Sequence, residues 1–124
     1  MRIAANAEDI DMISIMAYDA GAAPGGATGY DPKIAYQAHQ YYFKGDVALG
    51  LETPTEAWGG HVLTLDETNK LADFVLSNAA GRSPAMMLWS IQKQIEKDKI
   101  TPTEVAQAVC KEFGLKNCDL PLVK

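Results

Sequence analysis

Apolar and polar residues alternate between two periods along this chain, and the alternation divides it into six elements. Met12–Ala17 (MISIMA) is a short apolar run with β-branched residues that ends at Tyr18-Asp19, which predicts a buried strand over about 12–18. Ala20–Tyr30 is rich in glycine and contains a proline, so it is a loop. Asp31-Pro32 then opens a helix over about 32–43, with Asp31 as N-cap and Pro32 at the first helical position. Ile34, Ala38, Tyr41 and Tyr42 recur at helical spacing, and Gly45 is the expected stop. Val47–Leu51 (VALGL) begins a second strand, about 47–52, followed by a Pro- and Gly-containing loop. Thr64-Leu-Asp-Glu67 is a capping box that starts a second helix over about 65–80, with Leu71, Phe74 and Val75 as its apolar stripe. Ala85–Ser90 (AMMLWS) is the third strand. Thr101-Pro-Thr-Glu104 is another capping box and starts a third helix over about 102–113, with Val105, Val109 and Phe113 on its buried face and Gly114 at its end. Ile91–Lys99 fits either a short helix or a long loop, and Leu115–Lys124 is a tail.

Strand, loop and helix therefore follow one another three times. Strands that alternate with helices predict parallel pairing through crossovers, hence an α/β fold. A closed (β/α)8 barrel takes about 250 residues, and this chain has 124. The expected architecture is a partial (β/α)8 (TIM) barrel of three parallel strands and three helices, completed by missing sequence or by oligomerisation. Three parallel strands leave two open edges and a bare face, so a homodimer or larger homo-oligomer is expected.

Strand alternation also sorts the side chains by face. Ile13, Ile15 and Ala17 oppose Ser14, Met16 and Tyr18; Val47, Leu49 and Leu51 oppose Ala48, Gly50 and Glu52; Met86, Leu88 and Ser90 oppose Ala85, Met87 and Trp89. The less aliphatic face of each strand ends in Tyr18, Glu52 or Trp89. Barrel sites sit at the carboxyl ends of strands, so these three side chains are expected to converge on one mouth. With Asp19 and loop residue Trp58, they suit a sugar: a flat aromatic surface for the C–H face of a pyranose, and carboxylates for its hydroxyl rim. Each residue also has a structural reading. Trp89 fills a barrel core equally well, Tyr18-Asp19 suits a strand-ending turn, and Trp58 can pack its loop down.

Three motifs in order resemble glycoside hydrolase family 18 chitinases. Met16-Ala-Tyr18-Asp19 is similar to the M-x-Y-D/N motif closing the family's sixth strand. VALGLE, before a loop with proline, is similar to the seventh. Met86-Met-Leu-Trp89-Ser90 is similar to the eighth, whose tryptophan floors the central subsite. The resemblance covers nearly the whole chain and implies substrate-assisted, retaining hydrolysis of β-1,4-linked N-acetylglucosamine polymers, one of the exceptions to the two-carboxylate scheme. It implies Tyr18 and Asp19 as catalytic residues, contacting the acetamido group and the sugar near the cleaved bond. It implies Trp89 and Met16 at the substrate. Glu52 and Trp58 are added as substrate-binding residues by position alone. The family's D-x-x-D-x-D-x-E, which carries the general acid, has no match. Glu8-Asp-Ile-Asp11 has D-x-D, but Ile13 stands where the glutamate belongs, ahead of a strand. A general acid contributes about 10²–10⁴ in rate, so the chain alone is expected to be inactive. The alternatives are a noncatalytic chitooligosaccharide-binding module or a self-assembling barrel fragment. Expected partners are chitin or N-acetylglucosamine oligomers, and the missing amino-terminal part of the barrel.

Charge and composition narrow the classes further. The net charge of -5 argues against nucleic acid and anionic membranes as partners. The glycines match neither a dinucleotide fingerprint nor a P-loop, so no cofactor is expected. Cys110 and Cys118 form either a disulfide or two free thiols, and without a nearby histidine they make a poor zinc site. His39 is expected on a helix surface and His61 in a loop. Secretion is implied by the resemblance, although Met1–Asp11 has no apolar signal core.

Overall fold

The computed structural model describes residues 8–18, 31–53, 63–91 and 97–122. The elements run β1 (Met12–Ile15), α1 (Pro32–Tyr42), β2 (Asp46–Glu52), α2 (Leu65–Ser77), β3 (Ala85–Trp89) and α3 (Pro102–Glu112). The protein is α/β, with the strands in the order β1-β2-β3 and both pairings parallel. The register places Ile13 beside Val47, Ile15 beside Leu49, Leu49 beside Met86 and Leu51 beside Leu88. One face of the sheet is therefore aliphatic across all three strands.

The helices pack on that face. Ile15, Ala17, Val47 and Leu49 cluster with Tyr36 of α1, Phe43, and Val75 of α2. Leu51 clusters with Leu63, which precedes α2, and with Val105 of α3, while Leu88 and Ile100 pack against them. Phe113, just past α3, returns to the first cluster. Each of the last two helices thus starts near the carboxyl end of the strands and runs back toward the amino end, as a parallel crossover requires. β2 is the hub: Val47 to Leu51 are all buried.

Both later helices begin on a complete capping box. Thr64 N–H donates to Glu67 Oε2 at 2.9 Å, and Glu67 N–H donates to Thr64 Oγ1 at 3.2 Å. The corresponding distances between Thr101 and Glu104 are 2.8 and 3.1 Å. Two otherwise orphaned backbone donors are satisfied in each case. At α1, Asp31 Oδ1 accepts from Lys33 N–H at 2.8 Å and Pro32 fills the first position.

Several boundaries and faces differ from the sequence-based expectation, each for a local reason. β1 stops at Ile15, not Tyr18, because Ala17 N–H turns back to Ile15 O at 3.0 Å. α2 stops at Ser77, not residue 80: Asn78 N–H and its side-chain Nδ2–H both donate to Phe74 O, and Ala80 and Gly81 follow at φ 55° and 81°. On α1 the inward stripe is Tyr36 and Gln40, leading to Phe43, and not Ile34, Tyr41 and Tyr42, which are exposed. Tyr36 meets Phe74 edge-on at 5.9 Å, and its hydroxyl end lies near Arg82 and Asp46, so an amphipathic ring takes the place that spacing alone gave to Ile34. Gly45 is no left-handed helix stop. Phe43 caps α1 in extended geometry, and a Cβ on Gly45 would strike Asp11 O and the Phe43 ring. That glycine lets the backbone of the α1–β2 turn pass against the start of β1. His39 is half-buried rather than a free surface residue, its Nδ1 paired with Ala35 O at 2.7 Å. His61 lies outside the described residues.

Of the two alternatives for the cysteines, the disulfide is present, joining Cys110 of α3 to Cys118 of the tail with their Cα atoms 5.4 Å apart. No helix among the described residues is long and apolar enough to cross a membrane.

The capping box makes one titration visible. Thr101 N–H, and then the Thr101 hydroxyl, hold the Glu104 carboxyl below its ordinary value of 4.5. A lowered folded-state pKa contributes stability that is complete above the unfolded value and lost as pH falls through the folded one. Glu104→Gln should therefore lower urea stability above about pH 5, with a deficit relative to wild type that shrinks as pH falls through and below the ordinary carboxylate range. Urea titrations at a series of pH values read this directly.

Candidate functional site

The sheet face opposite the helices carries the candidate side chains. Ser14 lies beside Ala48, Gly50 beside Met87, and Glu52 beside Trp89. Side chains of neighbouring parallel strands stand about 5 Å apart on the same face, so the Glu52 carboxylate and the Trp89 indole share the carboxyl edge. Trp89 is 52% exposed and Glu52 is half-buried. Met12 and Ser14 on the same face are also exposed. Among the described residues no helix packs over this face.

Tyr18 joins the pair from beyond the end of β1. Continuing the β1–β2 register would set position 18 opposite Glu52, but the chain has left the ladder by then. Its ring instead leans over Gly50: a Cβ built on Gly50 would lie 2.9 Å from Tyr18 Cε1 and 3.2 Å from Met87 Cε, and would strike Ile15 O. Gly50 is thus the floor on which Tyr18 and Met87 meet. A glycine within a strand signals such close approach, and Gly50 and Met87 are the site residues that the sequence reading placed on this face but did not single out. Thr53 is a third. It is buried, its N–H donates to Trp89 O at 2.9 Å and its hydroxyl to the same oxygen at 3.4 Å. The two bonds fix the backbone that presents the indole. The Trp89–Ser90 peptide is cis.

The remaining candidates divide. Met16 is 73% exposed, on the turn formed by Ala17 N–H donating to Ile15 O. Asp19 and Trp58 lie outside the described residues. Among the described residues no cluster of His, Cys, Asp and Glu could hold a metal ion.

An exposed indole, a carboxylate beside it and a phenol two residues toward the sheet centre make a mixed surface. The indole offers an apolar plane, the carboxylate accepts hydrogen bonds, and the phenol donates or accepts. The other carboxylate of this parity on β2, Asp46, stands at the amino end of the strand, where it accepts from Ser83 N–H at 3.1 Å.

In class, this is an α/β protein of three parallel strands whose described helices pack on one face, with an aromatic–carboxylate group on the other. The chain matches no protein-family model, no curated protein and no solved structure.

Gly50→Ala tests the floor. The added methyl group overpacks against Ile15 O and the Tyr18 ring, and such overpacking typically costs about 1–3 kcal/mol. The variant should lose that much in urea titration and shift the aromatic resonances of Tyr18, with those of Tyr41 and Tyr42 on the far side of α1 unchanged.

Proposed function

We propose that the three units are the carboxyl-terminal part of a chitinase-like (β/α)8 barrel, and that Tyr18, Glu52 and Trp89, with Asp19 and Trp58, are part of its N-acetylglucosamine site. The observation that carries the reading is the half-exposed Trp89 beside Glu52 on the face that no described helix covers. A barrel has its interior there, and its site is at that edge. The order of the three family-like strand ends supports the same placement. So does the Cys110–Cys118 disulfide, which suits the secreted setting that the resemblance implies.

In this reading the Trp89 indole stacks beneath the sugar ring. Glu52 accepts from ring hydroxyls or from the amide N–H of the acetamido group. Tyr18 hydrogen-bonds the acetamido oxygen as that oxygen attacks the anomeric carbon, steadying the oxazolinium ion. Asp19 contacts the same group. The leaving oxygen needs a proton from an acid that no stretch of these residues matches, so this chain binds without cleaving. Self-association through the outer edges of β1 and β3 is the second reading, favoured by exposed Met12 and Trp89 on the open face.

Titration with N-acetylglucosamine oligomers should change tryptophan emission at millimolar ligand, and Trp89→Ala should abolish the change. Emission that stays flat removes the sugar site. Sedimentation of the same sample decides the self-association reading, which a monomer removes. Co-expression with the first five strand–helix units of a family 18 barrel should give chitooligosaccharide cleavage above that of either part. Activity no greater than the separate parts removes the barrel assignment even if sugar binds.

A further inference from the structure

The end of the chain carries a device unrelated to the sugar site. α3 is held to the body by Val105, Val109 and Phe113, which pack into the two core clusters. Immediately after Phe113 the chain reverses. Gly114 and Asn117 both take left-handed backbone, at φ 64° and 63°, and bring the tail back along α3. Little besides the disulfide keeps it there. Leu115 and Leu120 are 61% and 66% exposed, and Leu122 is exposed as well, so the tail buries little apolar surface. Leu115 N–H donates to Cys110 O at 3.0 Å at the first turn of the tail, and beyond it the described side-chain contacts to α3 are Lys111 Nζ to Asp119 Oδ1 at 2.9 Å and Gln107 Nε2 donating to Leu120 O at 3.4 Å. Both side-chain contacts lie at the surface, where such pairs contribute little.

Gln107 and Lys111 have a second position in the structure. With Glu104, Ala108 and Glu112 of α3, and with Leu65 and Asn69 of α2, they line a groove of about 400 Å³ between the two helices. The tail therefore occupies two of the side chains that shape this groove, and in Lys111 it neutralises the cation in its lining.

We propose that Cys110–Cys118 is a redox clasp: oxidised, it holds residues 115–122 on α3; reduced, it releases them and frees Gln107 and Lys111 to the α2–α3 groove. The step is exchange with a dithiol. One reductant thiolate attacks a cystine sulfur, forms a mixed disulfide and expels the other protein sulfur as thiolate. The second reductant thiol then displaces the protein from the mixed disulfide. Two electrons and two protons pass to the protein, which ends with two thiols, and the reductant ends as its own disulfide. α3 stays in place because its hold on the core lies before Gly114.

The test uses the full chain with and without a dithiol, and the double variant Cys110→Ser/Cys118→Ser as a permanently open form. A lysine-specific protease reads the tail at Lys116 and the helix at Lys111. Cutting at Lys116 should be at least about tenfold faster in the reduced protein and in the double variant, because local opening sets the rate. Amide exchange over residues 105–112 should stay equally slow in all three. Equal cutting at Lys116 in the oxidised and open forms overturns the clasp, because the surface contacts then suffice to hold the tail. Loss of protection across 105–112 on opening also overturns it, because the disulfide is then a staple of α3 itself.

Discussion

The burial of β2 is the constraint from which the rest of this structure follows. Val47, Leu49 and Leu51 point to the helix layer, while Ala48 and Gly50 point the other way, and all five are buried. A strand so apolar has no stable place at an edge or in water. It needs a partner strand on each side to use its backbone groups and a helix layer over its aliphatic face. β1 and β3 supply the first and the three helices the second. The polar groups at its two ends are tied off locally: Asp46 N–H donates to Asp11 O at 2.8 Å and its carboxylate accepts from Ser83 N–H at 3.1 Å, while Thr53 N–H donates to Trp89 O.

The same constraint explains why small residues stand opposite the aliphatic ones. On the far face β2 presents Ala48, Gly50 and Glu52, two small side chains and then a charge. The small pair lets Tyr18 and Met87 lie close to the backbone, and the charge stands where the surface opens to solvent. One strand thus divides the molecule into a closed aliphatic layer and an open mixed face. The candidate site depends on that division more than on any one of its side chains.

Much of this was legible in the sequence, because the signals were local and redundant. Thr-x-x-Glu twice, Asp-Pro once and three short apolar runs fix six elements and their order, and the alternation within each run assigns Leu49 and Glu52 to opposite faces without reference to the rest of the chain. What was not legible depends on tertiary contact. Nothing near residue 15 says that β1 ends there, because the bond of Ala17 N–H to Ile15 O replaces ladder pairing that the pattern would allow. On α1 the apolar spacing of Ile34, Ala38 and Tyr41 is as regular as that of Tyr36, Gln40 and Phe43. The second set is chosen because Phe74, Arg82 and Asp46 are there to receive a tyrosine. Gly50 carried a readable signal as a lone glycine in a strand, whereas Thr53 did not, because its partner, Trp89 O, is 36 residues away in the chain.

The two capping boxes have a consequence for how such a chain can change over generations. Thr64 with Glu67, and Thr101 with Glu104, close each helix start using only residues of the helix and its own cap. The capping bonds join these four residues alone, and each threonine follows the segment that leaves the carboxyl end of a strand. Residues in those segments can be exchanged, added or removed while the helix behind them begins at the same threonine. Specificity at the open edge and stability of the covered layer are in this way written in separate stretches of sequence, and selection can act on one while the other stays as it is.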